Sequence, residues 1–288
     1  MRAPLLVELC AGLASVSLML EGGKYARPPV SRMGNKHGYG LALLRIMGLR
    51  PGQGADRYLW CEPDPGCRAL LHAYTDREVM QEAARIIRSW KDEEPRALWE
   101  RLRAEGPIRV GEAREVARST LCLAWDGPDG WPGGPSDGFM GPDASVGRTA
   151  GKTVLGAAND WTTLPSLPAT VTPDARPIEP ADLPPGTVVY ADPPYLNTTG
   201  YGNDLPREDV VMLARRWLDA GARVYISEAE PLPSLVADGW HAVEITSQRS
   251  GQKRTFSKQQ REWVTCSHLP AWRPAEQRGL FPRPALPV

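Results

Sequence analysis

The sequence predicts an α/β fold, and three observations carry this prediction. Short apolar runs that end at turn residues alternate with stretches of helical spacing at both ends of the chain. The β-branched run over residues 187–191 leads directly into an Asp-Pro-Pro turn, as expected where a buried strand leaves a sheet. The 288 residues are also enough for one large core with a smaller additional region.

Two groups of predicted strands and helices form the two halves of this core. In residues 1–75 the pattern predicts, in chain order, a strand over 5–10, helices over 15–20 and 36–47, a strand over 57–61 and a helix over 66–74. In residues 187–270 it predicts a strand over 187–191, a helix over 206–220, a strand over 223–227, a short helix over 233–237 and strands over 240–247 and 261–267. The Pro- and Arg-rich tail over 271–288 is expected to be extended.

Residues 76–186 differ from both halves and are predicted to form an insert. The charged, amphipathic sequence over 76–125 predicts roughly two to four helices. Residues 126–186 are rich in Gly, Pro, Asp and Thr and have little periodicity. A long segment of that kind is usually functional, so the insert is the expected place for recognition of a partner molecule, with Arg148 and Lys152 as speculative contacts.

Composition limits the classes of protein to which the chain can belong. No apolar run approaches the roughly 18 residues needed to span a membrane, which predicts a cytoplasmic protein. The five cysteines are odd in number and form no C-x-x-C pair, which favours buried thiols over disulfides or zinc ligands. No metal site is expected, because the histidines are dispersed without ligand spacing (His37, His72, His241, His268).

The charge of the chain is balanced overall but unevenly distributed. The net charge is zero, so bulk electrostatics does not indicate a nucleic-acid partner. From residue 245 to the end, however, the chain carries eight basic side chains and two acidic ones. Four of the basic ones lie in the predicted loop between the last two strands: Arg249, Lys253, Arg254 and Lys258. They are predicted to contact phosphates, and a solvated charged face is the alternative.

Asp192-Pro193-Pro194-Tyr195 is the most specific motif in the sequence. It follows a predicted strand, and the carboxyl end of a strand is where α/β sheets bind ligands. The carboxylate and a backbone carbonyl held rigid by two prolines can accept both hydrogens of an aromatic amine and aim its lone pair. The Tyr195 ring offers a face on which an extruded base can stack. A Pro-rich turn without a function is the alternative reading.

A second candidate site lies at the first predicted strand-to-helix turn. The small residues of Cys10-Ala11-Gly12 and Ala14-Ser15 allow a cofactor to approach the backbone, and the following helix supplies free amides. Glu62, followed by Pro63, ends the next strand, where an acidic side chain can accept both hydroxyls of a ribose. A structural turn and a surface acid are the alternatives.

Taken together, these residues resemble the DNA N6-adenine methyltransferases that have the Class I S-adenosylmethionine-binding fold, particularly the phage and restriction-type adenine methylases. Val7-Glu8-Leu9-Cys10-Ala11-Gly12 resembles the family's Val-Glu-Pro-Phe-x-Gly motif, and Cys61-Glu62-Pro63-Asp64-Pro65 resembles its Asp-Ile-Asn-Pro segment. Ser227-Glu228, followed by Arg249, Arg254 and Glu262-Trp263-Val264-Thr265, is similar to its C-terminal stretch. The resemblance covers both ends of the chain and fails across residues 78–185.

The resemblance implies an architecture and a set of site residues. The fold would be a Class I methyltransferase, Rossmann-like mixed sheet flanked by helices, with residues 1–75 as the cofactor-binding half, 76–186 as the target-recognition insert and 187–270 as the catalytic half. Asp192, Pro193, Pro194 and Tyr195 would be catalytic. The residues implied to contact S-adenosyl-L-methionine are Glu8, Cys10, Ala11, Gly12, Ala14, Ser15, Lys36, Glu62, Pro63 and Asp192.

The chain departs from the family pattern at three points. Cys10 stands where the family's first motif has an aromatic residue, and Ala14 stands where it has a second glycine. Gly34-Asn35-Lys36 is similar to the family's Gly-Gly-Lys element, whose lysine region lies by the methionine end of the cofactor. In most relatives that element precedes the glycine motif; here it follows, so either the order is permuted or the match is chance. Taken alone, Lys36 can meet a carboxylate or a DNA phosphate, or be solvated.

The expected function is methylation of the N6 amine of adenine in double-stranded DNA, by direct transfer from S-adenosyl-L-methionine to a flipped base and without a metal. Methylation of the N4 amine of cytosine or of an RNA amine is the alternative within the same chemistry. A DNA-binding protein that keeps the fold but lacks turnover is the alternative from another class. Restriction-modification, protection of a mobile element and regulatory marking all remain open as biological roles.

Overall fold

A computed structural model describes residues 2–30, 36–126, 138–142, 152–194, 205–245 and 261–274. Within them the chain forms a seven-stranded sheet of β1 (Leu6–Leu9), β2 (Tyr58–Cys61), β3 (Ala169–Thr172), β4 (Val188–Ala191), β5 (Arg223–Glu228), β6 (His241–Glu244) and β7 (Trp263–Cys266). The helices are α1 (Ser15–Gly22), α2 (Gly40–Met47), α3 (Pro65–Ala73), α4 (Arg77–Ser89), α5 (Pro95–Ala104), α6 (Ala113–Trp125), α7 (Val154–Thr163), α8 (Arg207–Asp219) and α9 (Pro233–Ala237), with a 3-10 helix over Lys36–Tyr39. The predicted α/β class is confirmed.

The sheet is mixed, and its strand order is β3-β2-β1-β4-β5-β7-β6. Strands β1 to β5 are mutually parallel, whereas β7 pairs antiparallel with both β5 and β6. The first five positions follow the order of a Rossmann-like sheet, in which the direction of winding reverses between β1 and β4. Ligands of such sheets bind at this reversal, outside the carboxyl ends of the strands.

Two apolar layers cover the sheet because its central strands are apolar on both sides. All four residues of β1 and of β4 are buried, as expected for parallel strands with helices on both faces. Leu6 and Tyr190 pack in a layer with α1, α2 and α3. Val7 and Val189 point to the opposite layer, which contains α8. Successive residues of one strand therefore serve opposite faces, and this alternation fixes the register of the sheet.

Helix boundaries follow local sequence signals closely. Asp64 accepts a hydrogen bond from the amide of Cys67 and is followed by Pro65 at the first position of α3. Asp76 caps α4 in the same way, through the amides of Glu78 and Val79. The helices expected over 66–74, 206–220 and 233–237 are confirmed to within about two residues.

The segment 126–186, which was expected to have little regular structure, contributes two elements to the fold. Helix α7 packs mainly against α4, and β3 pairs parallel with β2 in the central sheet. The sequence signal was weak because β3 is a short edge strand whose four residues are only partly buried. The division of the chain at residues 76 and 186 stays a prediction, but β3 is a strand of the core sheet inside the predicted insert.

The helices α4 to α7 form a layer with an aromatic interior. Tyr74 packs against Trp161 with ring centroids 5.5 Å apart, and Trp99 packs against Phe139 at 5.1 Å. Three helices, α4, α5 and α6, occupy residues 76–125, which confirms the expected range. Among the described helices, none has the length and apolarity that crossing a membrane requires.

The five cysteines all lie in the described part of the chain and are free thiols. Four of them are buried, and Cys10 is half-buried. The prediction of thiols rather than disulfides is confirmed. Burial raises the pKa of Cys61 and of Cys122 to about 12, so both thiols are protonated at neutral pH.

Candidate functional site

The carboxyl ends of β2, β1 and β4 meet at the reversal of the sheet and form the candidate site. The amide of Ala11 donates to the carbonyl of Cys61 at 2.8 Å, and the amide of Asp192 donates to the carbonyl of Leu9 at 3.1 Å. These two backbone bonds extend the parallel ladders past the strand ends. They bring together Glu62, the turn after β1 and Asp192, which sequence reasoning had identified separately.

The turn between β1 and α1 is built from left-handed backbone conformations. Cys10, Gly12 and Ala14 have φ values of 60°, 55° and 49°. The family that the sequence resembles has a glycine at the position of Ala14. Ala14 adopts a left-handed conformation, which a glycine occupies without strain. Apart from the two chain neighbours of Gly12, no atom of the described residues lies within 4 Å of the position that a Cβ on Gly12 would take. The backbone at Gly12 can consequently be approached closely by a ligand.

Glu62 organises this turn through both of its carboxylate oxygens. Oε2 accepts the amide of Gly12 at 2.6 Å, and Oε1 accepts the amide of Asp64 at 2.9 Å. The side chain is buried, yet it lies at the edge where the strands end. Each oxygen of a carboxylate has more than one acceptor direction, so a carboxylate that accepts backbone amides can also accept ligand hydroxyls. Pro63, the residue that follows, is exposed at the same edge.

Glu8 lies one layer below the turn. Its carboxylate accepts hydrogen bonds from the amide and the hydroxyl of Ser17 in α1, and the indole of Trp60 donates to that hydroxyl. Burial raises the pKa of Glu8 to about 7, against the hydrogen bonds from Ser17, and the negative charge of Asp192 adds to the rise. Glu8 is therefore positioned to fix α1 against the sheet, below the surface that a cofactor would contact. Ser15, at the start of α1, is also buried.

Asp192 forms a short ion pair with Lys36, the first residue of the 3-10 helix. The Lys36 Nζ lies 2.6 Å from Asp192 Oδ1. Burial raises the pKa of Asp192, and the ammonium of Lys36 acts in the opposite direction. The sequence left three alternatives for Lys36: a carboxylate, a DNA phosphate or solvent. In the structure Lys36 contacts a carboxylate. Gly34 and Asn35, which precede it, lie outside the described residues.

Further charged groups lie at the same edge of the sheet. Glu228, the last residue of β5, pairs with Arg207 at the start of α8, with 3.1 Å between Nη1 and Oε1. Burial raises the pKa of Glu228 to about 7, against the positive charge of Arg207. Glu262 precedes β7, and its Oε1 lies 3.8 Å from Lys36 Nζ. Asp174 follows β3, is paired with Arg176, and contributes to the raised pKa of Cys10 after burial and Glu62.

Sequence reasoning did not identify Asp174, Glu228 or Glu262 as site residues. Glu228 and Glu262 stood in the stretch that resembles the family, but no role was assigned to them. A usable signal was present for Glu228, since it directly follows an apolar strand as Glu62 does. For Asp174 the signal was absent, because β3 itself was not predicted.

The remaining predicted contacts are partly outside the described residues. These are Tyr195 of the catalytic motif, the four basic residues Arg249, Lys253, Arg254 and Lys258, and Arg148 of the insert. Pro193 and Pro194 follow Asp192 at the end of β4 as predicted. Lys152 contacts Asp160 of α7, and burial lowers its pKa to about 8, while its contact with a partner molecule stays a prediction. Among the described residues there is no group of three or more potential metal ligands, and the expectation of no metal stays a prediction.

The chain matches no protein-family model and no curated protein sequence. A functional assignment therefore depends on the geometry of the strand ends. That geometry combines an approachable backbone turn, a carboxylate suited to paired hydroxyls and a carboxylate-Pro-Pro segment. Of the described side chains around these groups, more are acidic than basic, which favours a positively charged ligand.

Proposed function

We propose that the protein is a DNA methyltransferase that transfers a methyl group from S-adenosyl-L-methionine to the N6 amine of adenine. The observation that carries the proposal is the position of Asp192-Pro193-Pro194 at the end of β4, beside the reversal of strand order. Asp192, which can accept a hydrogen bond from an aromatic amine, therefore lies next to the β1–α1 turn, which can bind a nucleoside.

The sheet supports a Class I methyltransferase fold. Its Rossmann-like half has the order expected for nucleoside binding at the ends of β1 and β2. The antiparallel β7 between β5 and β6 makes the sheet mixed, as the resemblance implies. Together with the motif residues at the strand ends, this architecture favours the methyltransferase class over a dinucleotide-binding oxidoreductase, whose sheet is mostly parallel.

The residues at the strand ends fit the proposed cofactor. The space around Gly12 admits the body of a nucleoside, and Glu62 is held where it can accept ribose hydroxyls. The excess of carboxylates at this edge complements a sulfonium cation. When bound, S-adenosyl-L-methionine supplies an electrophilic methyl group that can be displaced directly onto nitrogen.

The chain's own groups hold the target amine. The nitrogen lone pair of an aromatic amine is delocalised into the ring, so the amine must be held by its hydrogens for the lone pair to face the methyl group. Asp192 accepts one hydrogen, and the Pro193 carbonyl, fixed by two successive prolines, accepts the other. Lys36 opposes the rise that burial causes in the pKa of Asp192 and so favours the charged carboxylate, which binds the amine more strongly than a neutral acid. Tyr195 stacks on the flipped base in this proposal.

The experiment that tests the proposal is incubation of the protein with methyl-labelled S-adenosylmethionine and mixed-sequence duplex DNA, followed by nucleoside analysis. Label in N6-methyladenine is the expected result. Label in N4-methylcytosine would show that the substrate is the N4 amine of cytosine. Label in RNA supplied in parallel would show that it is an amine of RNA. Cofactor binding without transfer to either nucleic acid would contradict it in favour of a non-catalytic binding protein.

A further inference from the structure

Lys36, Asp192 and Glu262 come from three distant parts of the chain and meet in one ion cluster. Lys36 begins the 3-10 helix, Asp192 follows β4 and Glu262 precedes β7. The Lys36 ammonium lies 2.6 Å from Asp192 and 3.8 Å from Glu262. One ammonium thus serves two carboxylates, and the shorter contact is the one to Asp192.

All three side chains are largely removed from water. The exposed fractions are 9% for Lys36, 19% for Asp192 and 6% for Glu262. Charges interact more strongly where water is excluded, so a charge at Glu262 acts on the ammonium of Lys36 with little screening.

We propose that Glu262 is a positioning residue for Asp192 and acts through Lys36. The inference rests on the proposed function, because it assigns Asp192 the task of accepting the target amine. Lys36 and the amine compete for the acceptor directions of Asp192. Glu262 attracts the ammonium electrostatically from 3.8 Å, so that Lys36 is held between the two carboxylates and Asp192 still has an oxygen to offer. Glu262 does not touch the base.

The electrostatic surroundings of Asp192 include several groups besides this pair. Glu8 faces it from β1, and the pKa of Glu8, Cys10, Tyr190 and Glu228 all respond to its charge. Glu262 and Asp192 both raise the pKa of Tyr190, after burial as the main cause. Removal of the Glu262 charge therefore acts on Asp192 in one direction. It removes a neighbouring anion and leaves Lys36 to Asp192 alone, and both changes lower the pKa of Asp192.

The test compares Glu262→Gln with the full-length wild type in two measurements. The first is the dependence of kcat on pH with duplex DNA. We expect kcat to fall on the order of tenfold, because Asp192 is then held less well for the amine, and the acidic limb of the profile to move to lower pH. The dissociation constant of S-adenosylmethionine is expected to stay within about twofold of the wild-type value. Glu262→Asp should restore part of kcat.

The second measurement is independent of methyl transfer. The carboxyl carbon of Asp192 is titrated by NMR in protein labelled at aspartate, with Asp192→Asn used to assign the signal. Glu262→Gln should lower the Asp192 titration midpoint. In the background of Lys36→Gln, the same substitution should shift the midpoint less, because only the direct repulsion between the two carboxylates is then removed.

Glu115→Gln is the matched control. Glu115 is a buried glutamate of α6 that pairs with Arg118 at 2.7 Å, so its loss tests the general effect of removing a buried carboxylate. It should leave both the kcat profile and the Asp192 titration in place. An Asp192 titration unaltered by Glu262→Gln would overturn the positioning role. If the wild type transfers no methyl group, the proposed function fails, and the NMR titration still decides whether Glu262 acts on Asp192.

Discussion

At the residue scale, the site depends on buried carboxylates that each have a defined partner. Glu62 accepts hydrogen bonds from two backbone amides, and Glu8 accepts a hydrogen bond from the amide of Ser17. Asp192 forms an ion pair with Lys36. Buried charges are stable only when they are paired or hydrogen-bonded. These partners also fix the direction of each carboxylate. Stability and ligand binding at this edge of the sheet are therefore linked in the same side chains.

Glu62→Ala is expected to affect both properties. It leaves the amides of Gly12 and Asp64 without their acceptor, so the free energy of unfolding should fall by about 1–3 kcal/mol in urea denaturation. The affinity for S-adenosylmethionine, measured by calorimetry, should fall on the order of tenfold or more. Binding of DNA should change little. An unaltered cofactor affinity in a folded variant would remove Glu62 from the cofactor site.

Glu8→Gln should change how stability depends on pH. The pKa of Glu8 is raised to about 7 from an ordinary value of 4.5, mainly by burial, so the folded state retains this proton where the unfolded state has lost it. The contribution of Glu8 to stability therefore decreases as pH rises from 4.5 to about 7. Relative to the wild type, the variant should gain about 2–3 kcal/mol between roughly pH 5 and 8.

Glu115→Gln provides the comparison for this titration. Burial opposes the ionisation of Glu115, but hydrogen bonds from Arg118, Ser119 and Ile108 lower its pKa below the ordinary value. Glu115 is therefore ionised throughout the range in which Glu8 titrates, and the loss of stability in this variant should be constant between about pH 6 and 8. A Glu8→Gln variant that followed the same flat course would show that Glu8 does not titrate near neutrality.

At the element scale, the site is a property of strand ends rather than of any one motif. Asp192 and Glu62 could be predicted as neighbours, because both follow short apolar runs and parallel strands end at one edge. The strands themselves were predictable where burial is complete, as in β1 and β4. The partly buried edge strand β3 was not, and Asp174 was missed with it. The pairing of Lys36 with Asp192 depends on tertiary packing over 156 positions of sequence, which no local pattern encodes.

The turn after β1 gives an element-scale prediction. Gly12→Ala meets no steric obstacle at the new methyl group, but φ is +55°, so the backbone strain should cost about 1 kcal/mol in urea denaturation. The methyl group also occupies the approach to the turn, so cofactor affinity should fall.

Gly106→Ala is the matched control for that substitution. Gly106 follows α5, has φ +67° and is also without neighbours within 4 Å of the added group. It should lose similar stability and keep the cofactor affinity of the wild type. Equal cofactor affinity in the two alanine variants would contradict a cofactor site at the β1–α1 turn.

At the scale of the whole molecule, charge is separated within a chain that is neutral overall. Carboxylates gather at the carboxyl edge of the sheet, where Asp192 and Glu228 lie. Basic residues are concentrated in sequence after residue 245. A negative site complements the sulfonium of the proposed cofactor but repels DNA, so the proposed binding of DNA requires cations elsewhere in the molecule.

Neutralising Arg249, Lys253, Arg254 and Lys258 to glutamine should weaken DNA binding and its dependence on salt. Each lost phosphate contact should reduce the slope of log affinity against log salt concentration by about 0.9. Fluorescence anisotropy with a labelled duplex at several salt concentrations measures this slope. Cofactor affinity serves as the control and should stay constant. A slope equal to that of the wild type would assign these side chains to a solvated surface.

Whether Asp192 holds an adenine amine for methyl transfer is tested by comparing the wild type with Asp192→Asn. Both proteins, shown to be folded, are incubated with duplex DNA and saturating methyl-labelled S-adenosylmethionine. Labelled N6-methyladenine is expected from the wild type and none above background from Asp192→Asn. Equal amounts of N6-methyladenine from both proteins would contradict this role of Asp192.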